Sequence, residues 1–313
     1  MKKFKFDSYK ISGIMFHYFH DGIEFKHSQG SISAEKFEKI LNHIRKKMQI
    51  LSPLDFRDNL LSPKPEKATC ITFDDGLLPQ YKVAGPVLDS LGIKAFFFIY
   101  SDVWDIRFKT PHLEFFRDFR NTYEGGIEKY YDDFFFNSKN LINKSYKEVN
   151  FPRGYLRDCP FYSFKDKLYR YYRDILLTPE QYKEIVMSMM TSQKYNFDEK
   201  KNKLFMGINH LLKLILKGHE IGLHSSSHPT DMNRFEDDKI NMEYLNNYLF
   251  LVKNLKIKPF SASYPCGIFN NQTEEIMKKL NIKLAFAASL TQYDFSKMNT
   301  LLLPREDHAN ISI

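Results

Sequence analysis

Cysteine is scarce: the 313-residue chain holds three, Cys70, Cys159 and Cys266, far apart and without paired spacing. That excludes a disulfide framework and a cysteine-rich zinc cluster, and it fits a reducing compartment. Long apolar runs are missing too. No window approaches the roughly 18 uncharged apolar residues of a membrane span, and the most apolar stretch, Lys94 to Tyr100, has the length of a strand. At the amino end a positive start is followed by apolar residues broken up by Lys, Asp, Ser and His, so the apolar run of about seven that a signal peptide requires does not form. The expectation is a cytoplasmic protein with no membrane span. Charge is not concentrated in one sign either: a net +8 arises from 46 basic residues scattered among 38 acidic ones, which argues against a nucleic-acid partner. Repeats and low-complexity tracts are absent, and 43% hydrophobic with 27% charged residues is an ordinary globular balance.

Short apolar runs alternate with amphipathic stretches, the pattern of an α/β protein with a largely parallel sheet covered on both faces. A strand is expected from Gly13 to Phe19, then a helix capped by Ser33 with Phe37, Ile40, Leu41 and Ile44 on one face. The strand Ala68 to Phe73 runs into Asp74-Asp75-Gly76, and a helix around Val83 to Leu91 leads to the strand AFFFIY. Between residues 101 and 203 the rhythm breaks into clustered Tyr and Phe among polar residues, which reads as a largely helical, aromatic-rich insertion within one domain spanning 1–313. Inside it Thr178, Pro179 and Gln181 start a helix with a capping box, and the aromatics are expected to pack onto the rest of the fold. Strands at His219 to His224, from Phe260, at LAFAAS and from Leu301 follow, with helices near Lys239 to Leu255 and Thr273 to Leu280. The count of about seven strands suggests a barrel or near-barrel.

In such a barrel the reacting groups lie at the carboxyl ends of strands. Adjacent carboxylates at Asp74 and Asp75 repel one another unless a cation, an arginine or a shared proton relieves them, although Asp-Gly is also a common turn. His224 and His228 are four apart, which on a helical turn would aim both imidazoles one way, and neutral imidazole is a common metal ligand. Two nitrogens and one carboxylate leave coordination positions open, the pattern of a catalytic metal. Tyr264-Pro265-Cys266-Gly267 can shape a loop that offers a backbone N–H to an oxyanion, or be a plain turn. Arg305 and His308 follow the last strand, where a solvated tail is the bland alternative.

TFDDG (Thr72 to Gly76), GHEIGLHSSSH (Gly218 to His228) and YPCG (Tyr264 to Gly267), in this order and each after a strand, resemble the first three motifs of the polysaccharide deacetylase family, carbohydrate esterase family 4. The resemblance implies a distorted (β/α)7 barrel and metal-dependent removal of N-acetyl, occasionally O-acetyl, groups from sugars. It assigns Asp75, His224 and His228 to a divalent metal ion, zinc first and nickel or cobalt as other candidates. Asp74 becomes the general base, the amide N–H of Cys266 the oxyanion donor, and His308 or His17 the general acid. The arginine that usually opens the third motif is replaced by Ser263, and Arg305 is expected to occupy the same space. The expected substrate is an N-acetylated sugar, nucleotide-linked or lipid-linked, on the way to a surface polysaccharide. A degenerate member that binds a glycan without hydrolysis is the alternative, prompted by Ser263; a non-haem iron oxygenase would share the ligand set but gives no reason for Asp74.

Overall fold

The computed structural model describes residues 11–104, 113–142, 152, 154–156, 162–288 and 299–311. In chain order its main elements begin with β1 (Ile11–Phe16), α1 (Ala34–Arg45), β2 (Gln49–Ile50), α2 (Pro53–Leu61), β3 (Ala68–Phe73), α3 (Gly85–Leu91) and β4 (Phe96–Ile99). Five helices follow, α4 (Leu113–Asn121), α5 (Gly126–Ile142), α6 (Phe164–Tyr171), α7 (Pro179–Ser192) and α8 (Phe197–Leu204). The chain then returns through α9 (Ile208–Leu216), β5 (Glu220–Leu223), α10 (Asp237–Leu255), β6 (Ser261–Ser263), α11 (Asn271–Lys279), β7 (Leu284–Phe286) and β8 (Arg305–Asp307). Two compact units emerge, Thr110–Lys201 and the remainder of the chain, and each is described by itself.

In the larger unit every strand pairing is parallel, and the order is β7-β6-β5-β4-β3-β1-β8, with the short β2 beside the start of β3. The ring nearly closes on itself. Leu303 bridges Phe286 at the end of β7, its N–H donating to Ala285 and its carbonyl accepting from Ala287, while two residues later β8 joins β1. The fold is therefore a parallel, nearly closed barrel of the (β/α)7 kind, as the strand spacing implies. One expected strand is shifted: Leu301 to Leu303 contributes only that bridge, and the paired residues are Arg305–Asp307. A run of Arg, Glu and Asp gives no apolar signal. It pairs with β1 because Pro304 carries no donor of its own and offers its carbonyl to Gly13, and because the Arg305 charge is neutralised inside the barrel.

Strands buried on both faces explain the unbroken apolar runs in the sequence. Alternate residues on one face, among them Cys70, Phe96, Phe98, Leu284, Phe286 and Leu303, pack with Phe56 and Leu60 of α2. The opposite set, including Ile71, Phe73, Phe97, Ile99, Ile221 and Leu223, packs under the surrounding helices with Phe37, Ile40, Leu41 and Ile44 of α1. The inner face is tight at Gly222. A Cβ built there would lie 2.5 Å from Ser261 Oγ and 2.7 Å from the Phe98 ring. Gly222→Ala is therefore expected to destabilise the protein by roughly 1–3 kcal/mol through overpacking, read as a lowered midpoint of thermal unfolding.

The smaller unit has its own aromatic core. Tyr130, Phe134 and Tyr169 are buried against one another mostly edge to face, and the Tyr169 and Tyr182 hydroxyls share a 2.7 Å hydrogen bond. These rings pack within the unit: Tyr130 and Phe134 of α5, Tyr169 of α6 and Tyr182 of α7 meet there, with Phe119 of α4 edge-on to Tyr130. The α7 start follows the sequence closely: Thr178 and Gln181 exchange the two hydrogen bonds of a capping box, and Tyr182, Ile185, Val186, Met189 and Met190 form its buried stripe.

Candidate active site

Three strand ends of the barrel converge on a cluster of acids and imidazoles. After β3 the backbone makes a turn with Asp75 at φ 76° and Gly76 at φ 66°, and the two neighbouring carboxylates meet different partners. The Asp-Gly turn expected from the sequence is present. Asp74 points to β8 and Asp75 to the loop after β5. That loop is not the helical turn expected from the spacing of His224 and His228: no helix is assigned there, and Ser225 (φ 62°) and His228 (φ 52°) are left-handed. Reversal of the backbone, not helical periodicity, brings the two rings to 4.7 Å between centroids.

Asp75 Oδ1 lies 3.6 Å from His224 Nε2 and 3.4 Å from His228 Nε2, and one ligand atom from each residue falls within 4.8 Å of the others. Ligands about 2.1 Å from a tetrahedral ion would be about 3.4 Å apart, so the spacing suits a divalent cation. The tautomer suits it as well. His224 Nδ1 sits 2.8 Å from the Ser263 carbonyl, which fixes a proton there as a donor and leaves Nε2 as the ring atom that faces Asp75. Burial lowers His228 to about 4 and keeps it neutral. Burial also opposes charge on Asp75, yet the hydrogen bond from His224 and the neighbouring imidazoles bring it down to about 2. For His224 burial acts downward, but Asp74 and Asp75 outweigh it and raise its pKa.

Asp74 is buried and clamped by Arg305, whose Nη1 and Nη2 donate to its two oxygens at 2.7 Å each. The guanidinium also reaches Thr72 Oγ1 at 3.2 Å, Ser263 Oγ at 2.7 Å and, through Nε, the Ala287 carbonyl at 2.9 Å. Five hydrogen bonds thus match the five N–H groups of a fully buried arginine. The Ser263 hydroxyl donates in turn to Asp74 Oδ2 at 3.3 Å. Burial alone would raise the Asp74 carboxyl; the Arg305 charge and then His224 reverse this and hold it well below the usual carboxylate range.

His17, just beyond β1, presents Nε2 3.8 Å from Asp74 Oδ2 and remains partly exposed. His308 is more withdrawn. Its ring stacks on Phe16 at 5.1 Å, Nδ1 lies 3.4 Å from Asp307, and burial lowers its pKa. Cys266 stands on the turn after β6 at φ 53° with an exposed side chain, and that positive φ aims its backbone differently from the strand before it. Asp74, Asp75, His17, His224, His228 and Arg305 therefore share one site. His308 adjoins it behind Phe16, and Cys266 lies on the neighbouring turn. Residues not singled out from the sequence support the site: Gln80 bridges the carbonyls of His17 and Asp74, and Asn247 accepts from the His224 N–H. Neither carries a pattern that a single sequence exposes, since Gln80 joins the Asp74 carbonyl to that of His17, 63 residues away, and Asn247 acts on a backbone atom 23 residues away.

A sequence model described as polysaccharide deacetylase matches residues 179–285, which include His224, His228 and the Tyr264 to Gly267 turn but not Asp74 or Asp75. No curated protein matches the chain. Among solved structures, the Streptococcus pyogenes deacetylase PplD in complex with acetate is similar at 16% identity and TM-score 0.55, covering 96% of this chain and 92% of its own. IcaB from Ammonifex degensii is similar at 14% identity and TM-score 0.54, with 95% and 90% covered. A de-N-acetylase from Aggregatibacter actinomycetemcomitans is similar at 14% and 0.53, with 94% and 93% covered. At these identities the likeness is one of fold.

Proposed function

We propose that this chain is a member of the polysaccharide deacetylase family, that it hydrolyses an N-acetyl group from a sugar at the Asp74, Asp75, His224 and His228 cluster, and that it needs a divalent cation to do so. The observation that carries the reading is the division of labour between neighbouring carboxylates: Asp75 approaches two imidazoles at 3.6 and 3.4 Å, while Asp74, 3.9 Å from His224 Nε2, has both oxygens locked to Arg305. An ion held by Asp75, His224 and His228 would polarise the amide carbonyl and acidify a water. Asp74, kept ionised by its clamp, would accept the proton of the attacking water. Arg305 and Ser263 fix the orientation of the Asp74 oxygens, so no reorganisation is needed when the proton arrives. The Cys266 amide is the proposed donor to the oxyanion, and zinc is the first candidate for the ion.

The leaving amine must be protonated. His17 is the better situated of the two candidate acids, being partly exposed and 3.8 Å from Asp74, whereas His308 is packed against Phe16. The departure that prompted the non-hydrolytic alternative, Ser263 in place of an arginine, is offset in this reading by Arg305, which donates to both Asp74 Oδ2 and Ser263 Oγ. We also assign 101–203 as an insertion in a single deacetylase domain, on the ground that β4 and β5 pair directly across the sheet although the smaller unit separates them in sequence. Incubation with a panel of N-acetylated sugars, including sugar nucleotides, is expected to release acetate in a chelator-sensitive manner. His17→Ala should lower turnover with metal content intact; His308→Ala doing so instead would exchange their roles, and no acetate from any sugar would remove the hydrolase reading.

A further inference from the structure

The loop from His224 to His228 has a conformation its sequence does not favour. Two of its side-chain-bearing residues, Ser225 and His228, are left-handed, a region that L-residues other than glycine rarely adopt unless their surroundings hold them there. Within the loop only Ser225 Oγ helps, accepting from the His228 N–H at 3.1 Å. The rest of the restraint comes from outside, and most of it from one helix.

Glu243 of α10 is buried with its carboxylate against the loop. Oε2 accepts from the backbone N–H groups of both Ser226 (3.0 Å) and Ser227 (2.8 Å), and Oε1 from the Ser227 hydroxyl (2.7 Å). Consecutive N–H groups converging on one oxygen form an anion-binding nest, here filled by the protein's own carboxylate. No Lys or Arg ion pair of Glu243 is found among the described residues, so its negative charge is accommodated by these three donors. One turn later Asn247 accepts from the His224 N–H at 2.9 Å and donates to the Ile99 carbonyl at 3.1 Å, tying the start of the loop to β4. Asp102 completes the restraint by hydrogen bonds to both the hydroxyl and the carbonyl of Ser226.

We propose that Glu243 is a positioning residue for cation binding: it holds the reversed backbone between His224 and His228 and so keeps both imidazoles convergent on Asp75. The inference rests on the cation reading above. It explains why a carboxylate is kept at a buried position with no basic partner, where a charge is costly unless its hydrogen bonds are fully engaged.

The test is Zn²⁺ and Co²⁺ affinity of the full chain, measured by competition with a chromophoric chelator, with the Co²⁺ visible spectrum as a report on ligand geometry. Loss of an outer partner of metal ligands typically weakens affinity by about 10–100-fold, and that is the loss expected for Glu243→Ala, with an altered Co²⁺ spectrum. Glu243→Gln can still accept both N–H groups and donate to the Ser227 hydroxyl, so it should recover most of the affinity. Ser227→Ala, which removes one of the three hydrogen bonds, is a milder variant should Glu243→Ala fail to fold, and it should weaken binding in the same direction. Wild-type affinity and spectrum in Glu243→Ala, or in Ser227→Ala where the former does not fold, would overturn the proposal while leaving the cation site intact. A wild-type protein that binds neither ion would remove both.

Discussion

Replacing Arg305 by alanine is expected to cost roughly 3–5 kcal/mol of stability, because it leaves the Asp74 carboxylate buried and without its partner. The same change should alter the pH dependence of turnover. In the intact protein Asp74 is held well below the ordinary carboxylate range, so it stays ionised throughout mildly acidic solution. Without the guanidinium, burial acts largely unopposed and raises the carboxyl, so the acidic limb of the rate profile should move to higher pH. The linkage has the matching sign. A group whose folded pKa is depressed contributes stability above its unfolded pKa and loses it as pH falls toward the folded value, so the intact pair resists acid and the variant does not. Arg305→Lys should rescue little, since an ammonium cannot reproduce five hydrogen bonds spread over Asp74, Thr72, Ser263 and Ala287. Chemical denaturation and a pH–rate series on the same preparations check both effects; full turnover with an unchanged profile in Arg305→Ala would end the assignment of Arg305 as the clamp.

Asp74→Asn and Asp75→Asn should separate two functions that sit side by side in the sequence. Asp74→Asn preserves shape but cannot accept the proton, and loss of a general base typically costs about 10²–10⁴-fold in turnover. Its zinc content, measured by elemental analysis, should remain that of the parent, because the Asp75, His224 and His228 atoms are untouched. Asp75→Asn should instead lose both metal and acetate release, and added metal should restore activity only in part. If Asp74→Asn emptied the site while Asp75→Asn kept its metal, the two roles would have to be reversed.

The barrel and the cluster were legible in the sequence because they rest on short-range signals. ATCITF and AFFFIY announce strands buried on both faces, and TFDDG and HSSSH stand at strand ends where side chains converge. The Thr178 cap was legible for the same reason, as three residues suffice to satisfy a helix start. What could not be read is long-range or conformational. Four-residue spacing in His224 and His228 suggested a helical turn, whereas the left-handed Ser225 and His228 achieve convergence in a loop. The bracing from Glu243 and Asn247 joins positions that no local pattern links, and Arg305–Asp307 gave a strand with none of the apolar alternation that marks one. Arg305 itself was accessible only as an idea of replacement, prompted by Ser263 and by its location after an apolar run. Its bidentate geometry gives that idea physical form.

Gly13 of β1 lies opposite Arg305 in register, and a Cβ there would approach Arg305 Cγ to 3.0 Å and the Phe286 ring to 3.3 Å. The bare backbone at this position is thus the passage through which the guanidinium enters the barrel. Since Arg305 opens β8, the clamp is synthesised 231 residues after the carboxylate it neutralises, and Asp74 is without that counter-charge until β8 pairs with β1. On the proposed reading the base is poised only once β8 has docked on β1: a chain in which that pairing is open carries Asp74 without its clamp, so acetate release would report on ring closure.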